Sequence, residues 1–246
     1  MAAAAERALG KATSRNGERI LGSLAAVALG ASLVLSLVVA PPDAVQGEVQ
    51  RLMYIHVPAA WLAYLSFAVV FVGSIGYLRT RKTRWDRIAG ASAEIGVMFT
   101  ALAIVLGALW GKPVWGTWWT WDPRLTTTAV LLLIYLGYLS IRRISDNPSR
   151  RARWCAVVGI VGFVDVPIVH LSVVWWRSLH QGPTVLRLGS PEIEGTMLLA
   201  LLAGVAAFTL VYAYLMTLRL RVGRLEDRAA REALSPIVEP AVEVEV

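Results

Sequence analysis

Residues 110–123 read WGKPVWGTWWTWDP, which puts five of the chain's ten tryptophans into the twelve positions from Trp110 to Trp121. Long apolar runs flank the stretch on both sides, so it sits where a membrane span meets water. Interfacial tryptophan is common because the indole suits the headgroup region. A cluster this dense, broken by Gly116 and closed by Asp122-Pro123, reads in addition as a flat aromatic platform for a large planar ligand.

Composition agrees with the membrane setting. The 246 residues are 57% hydrophobic and 17% charged, with mean hydropathy +0.59, whereas soluble domains run near ~25% charged. Working outward from the tryptophans, six apolar segments stand out at 20–40, 57–78, 88–110, 125–141, 152–176 and 195–218. Each approaches or exceeds the ~20 residues that a helix needs to cross ~30 Å of hydrocarbon. The fold class is therefore an all-α integral membrane protein of six transmembrane helices with short external loops. The first segment is read as a retained span. Its apolar core is long for a cleavable leader, and Val38-Val39-Ala40 lacks a small-x-small cleavage pattern.

The basic residues alternate between connections. The arm 1–19, the loops 79–87 and 142–153, and the tail from Arg219 together hold 19 of the 24. The rest are Arg51, Lys112, Arg124, Arg177 and Arg187. The positive-inside rule then places both termini in the cytoplasm. A net charge of +7 is explained by topology, without nucleic acid. Three regions follow: a basic cytoplasmic arm 1–19, a transmembrane domain 20–218 with its external tryptophan loop 111–124, and a cytoplasmic tail 219–246. The tail is expected to be an amphipathic helix to about Leu234, with a Val/Glu-rich end beyond Pro236 that lacks a core-forming pattern.

With that orientation, the outer loops 41–56, 111–124 and 177–194 contain His56, the tryptophan box and His180. Two imidazoles can complete the axial coordination of a haem iron. Trp115, Trp118, Trp119 and Trp121 would offer the porphyrin an aromatic face. Arg51, Lys112, Arg124 and Arg177 are the cations available to its propionates. Each residue also has a plainer reading: the tryptophans as an interfacial belt, His56 as a cap of the second helix, Asp122 as the N-cap of the fourth with Pro123 at its first position. The capping role is favoured for Asp122. The shared sidedness of His56 and His180 favours a ligand role for them. His170 is read as buried in the fifth span near Asp165, roughly 15 Å from His180 along an unbroken helix. Glu94 and Asp165 are intramembrane acids available for pairing or proton handling. The lone Cys155 excludes a disulfide framework and a CxxCH haem attachment and is read as a packing residue. Gly107–Lys112 falls short of a phosphate-binding loop, because the spacing is short and Pro113 stands where Ser or Thr is required.

Three segments together resemble a known family: RLMYIHVPAAWLAY at 51–64, WGTWWTWDPRLT at 115–126 and VPIVHLSVVWWRSLHQG at 166–182. They are similar to the haem exporter protein C (CcmC) family, tryptophan-rich haem-handling proteins of cytochrome c maturation, over about residues 45–215. The resemblance implies that the chain binds haem b as a transported ligand at the periplasmic face of a bacterial inner membrane. It implies presentation to a periplasmic haem chaperone, without catalytic turnover, in a complex with ABC transporter subunits and a small membrane subunit. It maps the external histidines onto His56 and His180 and the tryptophan motif onto Trp115–Asp122. Relatives are expected to carry an amide where this chain has Asp165. The alternative is an electron-transferring b-type cytochrome subunit. That design pairs histidines within helices at matching depth, and here His170 alone is placed inside a span. A small-solute permease would need a polar path that the spans do not show.

The charge division makes a direct prediction. A cysteine replacing Thr117, in a Cys155→Ser background, labels with an impermeant maleimide from the outside of intact cells. Labelling only after the cytoplasmic face is opened would reverse the topology.

Overall fold

The computed structural model describes residues 2–182, 185 and 190–234, with side chains described for 16–182, 185, 190–229 and 232. Arg187 and the segment beyond Pro236 lie outside the described residues. The described residues form seven α-helices: α1 (Ala2–Val34), α2 (Met53–Thr80), α3 (Thr83–Trp115), α4 (Pro123–Ile144), α5 (Pro148–Phe163), α6 (Asp165–Trp175) and α7 (Gly195–Leu234). α5 and α6 lie end to end as one apolar stretch, so six stretches are long and apolar enough to cross a membrane. The fold is thus the all-α, six-span membrane architecture expected. Helices dominate because a backbone in hydrocarbon must pair its own donors and acceptors.

The ends and breaks follow from local chemistry. α1 finishes in a π-helical turn, Leu35–Val39, closed by Ala40 N–H donating to Leu35 O at 2.8 Å. Arg81, in the left-handed region at φ 55°, ends α2 and turns the chain into α3 within two residues. α4 and α5 each begin at a proline preceded by a capping side chain, Asp122 and Asn147. The sequence predicts one helix for the fifth span, yet it breaks at Val164. Pro167 explains this: it lacks an N–H for the carbonyl of residue 163, and its ring crowds that carbonyl.

Packing uses small residues where helices approach closely, as membrane bundles do in place of a hydrophobic drive. Gly96 of α3 faces Phe67 of α2, where an added Cβ would come within 2.6 Å of the ring. Phe67 in turn stacks on Tyr135 of α4, with centroids 3.7 Å apart. Cys155 is fully buried in this core, in keeping with a packing role. α7 comes close to α2 at Gly204, beside Pro58 and the Tyr54 carbonyl.

At the end of the bundle that carries the basic loops, ion pairs join the helices. Arg142 of α4 grips Asp86 of α3 through two bonds, 2.7 and 3.2 Å. Arg87 pairs with Asp227, and Arg221 with Glu18. Glu94, expected as a buried acid, is bonded to Arg219 of α7 at 2.5 and 3.0 Å. It serves as an interhelical bridge.

Asp86→Ala therefore leaves the mostly buried Arg142 guanidinium uncompensated, a loss of about 3–5 kcal/mol. Asp227→Ala breaks a more exposed pair, worth about 0–1 kcal/mol. Thermal unfolding of purified protein, followed by a thiol dye on the buried Cys155, should show a much larger drop in midpoint for Asp86→Ala. Equal drops would remove the special weight given to the Asp86–Arg142 pair.

Candidate functional site

The tryptophan stretch does not form a single loop. α3 continues through Pro113 to Trp115 and stops at Gly116, whose φ of 78° is the left-handed conformation suited to a helix end. Gly116 N–H donates to Lys112 O, and Lys112 Nζ donates back to Gly116 O, each at 3.0 Å. Trp110 and Trp115 are thus helical residues, while Trp118, Trp119 and Trp121 belong to the short crossing into α4. The expected flat platform is corrected by the ring geometry. Trp119 and Trp121 meet edge to face at 88°, and Trp118 and Trp121 are exposed, Trp121 by 82%. The inner and outer indoles therefore face different surroundings.

The inner pair meets the histidines. The sequence places His56 in an outer loop, but a 3₁₀ turn over Glu48–Leu52 leads directly into α2, so His56 lies one turn inside that helix. Trp110 stands edge-on to its imidazole at 5.8 Å, and Gly107 leaves room for it, since an added Cβ would come 3.1 Å from the ring. His56 Nδ1 is buried and has no hydrogen-bond partner. Trp110 is held in turn by its Nε1 donating to Gln46 Oε1 at 2.8 Å. Trp115 lies 6.3 Å from the His180 ring.

His180 reaches the same place because the chain leaves the helix at Trp176 and folds back. Asp122 directs that return. Its carboxylate accepts Arg124 N–H at 3.0 Å as the cap of α4, Leu179 N–H at 2.7 Å and Ser178 Oγ at 3.1 Å. The favoured capping role thus holds, and the same group also anchors the histidine segment. His180 Nδ1 lies 3.1 Å from Gln181 O and 3.3 Å from Arg124 Nη1. A proton on Nδ1 donated to Gln181 leaves the Nε2 lone pair for an iron. Burial, with the Arg124 cation beside it, holds the His180 pKa below its ordinary value, which favours the neutral, ligating form. Trp110 and Trp115 of α3 thus carry His56 and His180 respectively.

Arg124 is the centre of this group. Besides meeting His180, it donates through Nη2 to the His170 carbonyl at 2.8 Å, and its buried Nε has no partner. One guanidinium thus spans both histidine positions. The helix between His170 and His180 is interrupted, and the expected 15 Å of unbroken helix is not found. The His170 ring lies against Tyr64, 6.4 Å between centroids, and Asp165 Oδ2 is buried without a hydrogen bond.

The other expected cations are placed differently. Arg51 pairs with Glu48 and donates to Ser36 O at 2.5 Å and Ala40 O at 3.1 Å, closing the end of the first span. Arg177 is exposed beyond α6, and Lys112 sits 5.9 Å over the Trp118 ring. Gly107, Gln46, Tyr64 and Gln181 were not singled out from the sequence. Their contribution is contact across helices, which leaves no local pattern. Among the described residues no group of three His, Cys, Asp or Glu could hold a bare metal ion.

Comparison with known proteins matches the sequence to one family. A family profile, Heme exporter protein C, matches residues 2–235, well beyond the 45–215 expected from the motifs alone. Among similar proteins, the Heme exporter protein C of Bradyrhizobium diazoefficiens is 44% identical over 187 residues, 76% of this chain and 70% of that protein. That of Haemophilus influenzae is 38% identical over 211 residues, 85% of each chain. That of Escherichia coli K12 is 39% identical over 186 residues, 74% of this chain and 73% of that protein. With the match covering nearly its whole length, this six-span membrane protein belongs to the heme exporter protein C family.

Proposed function

We propose that the chain handles haem for cytochrome c biogenesis, binding haem b as cargo at the external, periplasmic face of the inner membrane. There it presents the haem to a periplasmic haem chaperone, with no catalytic turnover of its own. The observation that carries this reading is that His56 and His180, from separate elements, each meet an indole of α3, Trp110 and Trp115, with Arg124 beside His180. The residues present suit a haem. His56 offers a buried nitrogen without a partner, and His180 is biased towards its neutral form. Arg124 sets a partly unsatisfied guanidinium where a propionate can pair with it.

In this reading His56 and His180 are the axial ligands. Arg124 is the principal propionate cation, with Arg51 and Arg177 as further candidates at that face. Arg51 would have to exchange its bonds to Glu48 and the first span to take part. Trp115, Trp118, Trp119 and Trp121 supply aromatic contact, and Asp122 acts by holding the loop. The exposed Trp118 and Trp121 are placed to meet a chaperone receiving the cargo. ABC transporter subunits and a small membrane subunit complete the assembly. The arm 1–19 and tail 219–246 lie in the cytoplasm, on either side of the haem-handling domain 20–218.

Two experiments test the reading. In detergent-purified protein, His56→Ala or His180→Ala should replace a six-coordinate haem spectrum by a five-coordinate one, with binding weakened about tenfold or more, ~1.4 kcal/mol. His170→Ala should keep the axial spectrum, because its contacts are to Tyr64 and through its backbone. If His170→Ala alone abolished the bis-imidazole spectrum, the ligand assignment would fail.

The second concerns the outer indoles. Replacing Trp118, Trp119 and Trp121 together with Ala should lower haem occupancy in protein that still inserts. Phe replacements should do so less, since an aromatic face remains. Unchanged haem content in the triple-Ala variant would assign these tryptophans to the interface or to docking alone.

A further inference from the structure

At the end of the bundle that carries the basic loops, Arg87, Arg142, Arg219 and Arg221 each pair with an acid on another helix. Arg150 and Arg153, in the first turns of α5, have no such pair among the described residues, and both are exposed. Pro148 opens this helix, and Asn147 caps it by accepting Arg150 N–H at 2.9 Å. Arg150, Arg153, Trp154 and Val157 then fall at i, i+3, i+4 and i+7, which sets them on one helical face. Between their side chains lies a recess of about 310 Å³.

The other face of α5 is given to packing, where Ala152, Cys155, Ala156, Gly159 and Gly162 are buried. The face with the recess continues as an exposed apolar stripe. Trp154 and Val157 are followed by Val161 and Val164, 64% and 59% exposed. From Arg153 to Val164 the stripe runs about 16 Å along the axis, at 1.5 Å per residue. It begins at the basic loop and descends into the apolar stretch Pro148–Trp175. Trp154 stands between charge and stripe, the depth that suits an interfacial indole.

A guest matched to this face carries an anion at one end and a long apolar body at the other. A soluble phosphate would leave the valines without a partner. An acidic peptide would have to lay its backbone in hydrocarbon unsatisfied. Haem iron calls for an axial ligand, and no imidazole lines the recess. Two guanidinium forks suit phosphate oxygens. We propose that this face binds one anionic phospholipid, its phosphate held by Arg150 and Arg153 and an acyl chain lying along Val157, Val161 and Val164. Placing that lipid in the cytoplasmic leaflet rests on the topology proposed above; the chemistry of the face does not.

The test is native mass spectrometry of the full-length protein in detergent, titrated with phosphatidylglycerol or with phosphatidylcholine of the same acyl chains. The first phosphatidylglycerol should bind about tenfold or more tighter than phosphatidylcholine. Arg150→Gln/Arg153→Gln should abolish that preference. Arg79→Gln/Arg143→Gln removes the same charge from exposed positions outside the recess and should leave it intact. Equal loss in the two variants would reduce the effect to diffuse attraction by a basic surface and overturn the site. Absence of any preference in the unaltered protein would overturn it as well. Displacement of phosphatidylglycerol by an equal concentration of glycerol 3-phosphate would assign the recess to a soluble phosphate, with the valine stripe idle. Loss of haem binding in Arg150→Gln/Arg153→Gln would also count against a lipid site, by making the recess part of the haem path. The preference retained in His56→Ala/His180→Ala protein would uphold the lipid site even if the haem reading failed.

Discussion

A backbone placed in hydrocarbon has no water to satisfy its N–H and C=O groups, and this requirement governs where the chain can be irregular. Each departure from the α-helix has a local answer. The π turn at Leu35–Val39 is closed by Ala40 and by the Arg51 guanidinium, which reaches across from the second span. Pro58 cannot donate to Tyr54 O, and α7 passes that carbonyl at Gly204 with no side chain between. The gap at Val164 is bridged by its own N–H to Val161 O at 3.1 Å. Longer irregular segments are confined to the connections between spans.

The two ends of the bundle are stabilised in different ways. At the end with the basic loops, acids and arginines from different helices are paired. The arrangement clamps α3 to α4 and α7, and α1 to α7. At the histidine end, polar atoms are buried and left open: His56 Nδ1, Arg124 Nε and Gln50 Oε1. Buried polar groups without partners cost stability. Trp85 Nε1 and Arg151 Nε are left open at the other end too, so it is the interhelical ion pairing that distinguishes the two ends.

Asp122 organises the histidine end. A helix cap needs only one of its oxygens, so the other is free to accept Leu179 N–H and Ser178 shares the first. The start of α4 and the segment after α6 are thereby fixed to one carboxylate. Arg124, two residues later, is carried to His180 by the same geometry. A short sequence motif thus organises residues some 55 positions away.

The spans, the charge division between connections and the cap at Asp122-Pro123 were legible in the sequence, because hydropathy, basic-residue counts and capping chemistry act over a few neighbouring positions. His56, His180 and the tryptophan cluster were also visible as candidates, since unusual residue types stand out in an apolar chain. Their arrangement was decided by tertiary structure. The extension of α2 and α3 over His56 and Trp115, the crossed indoles, the break at Val164 and the Arg124 bridge all depend on which helices pack together. So did the fate of Glu94, paired with Arg219 across 125 positions. Local sequence carries backbone preference and side-chain chemistry, but contacts between distant segments are chosen only when the helices close on one another and every buried polar group competes for a partner.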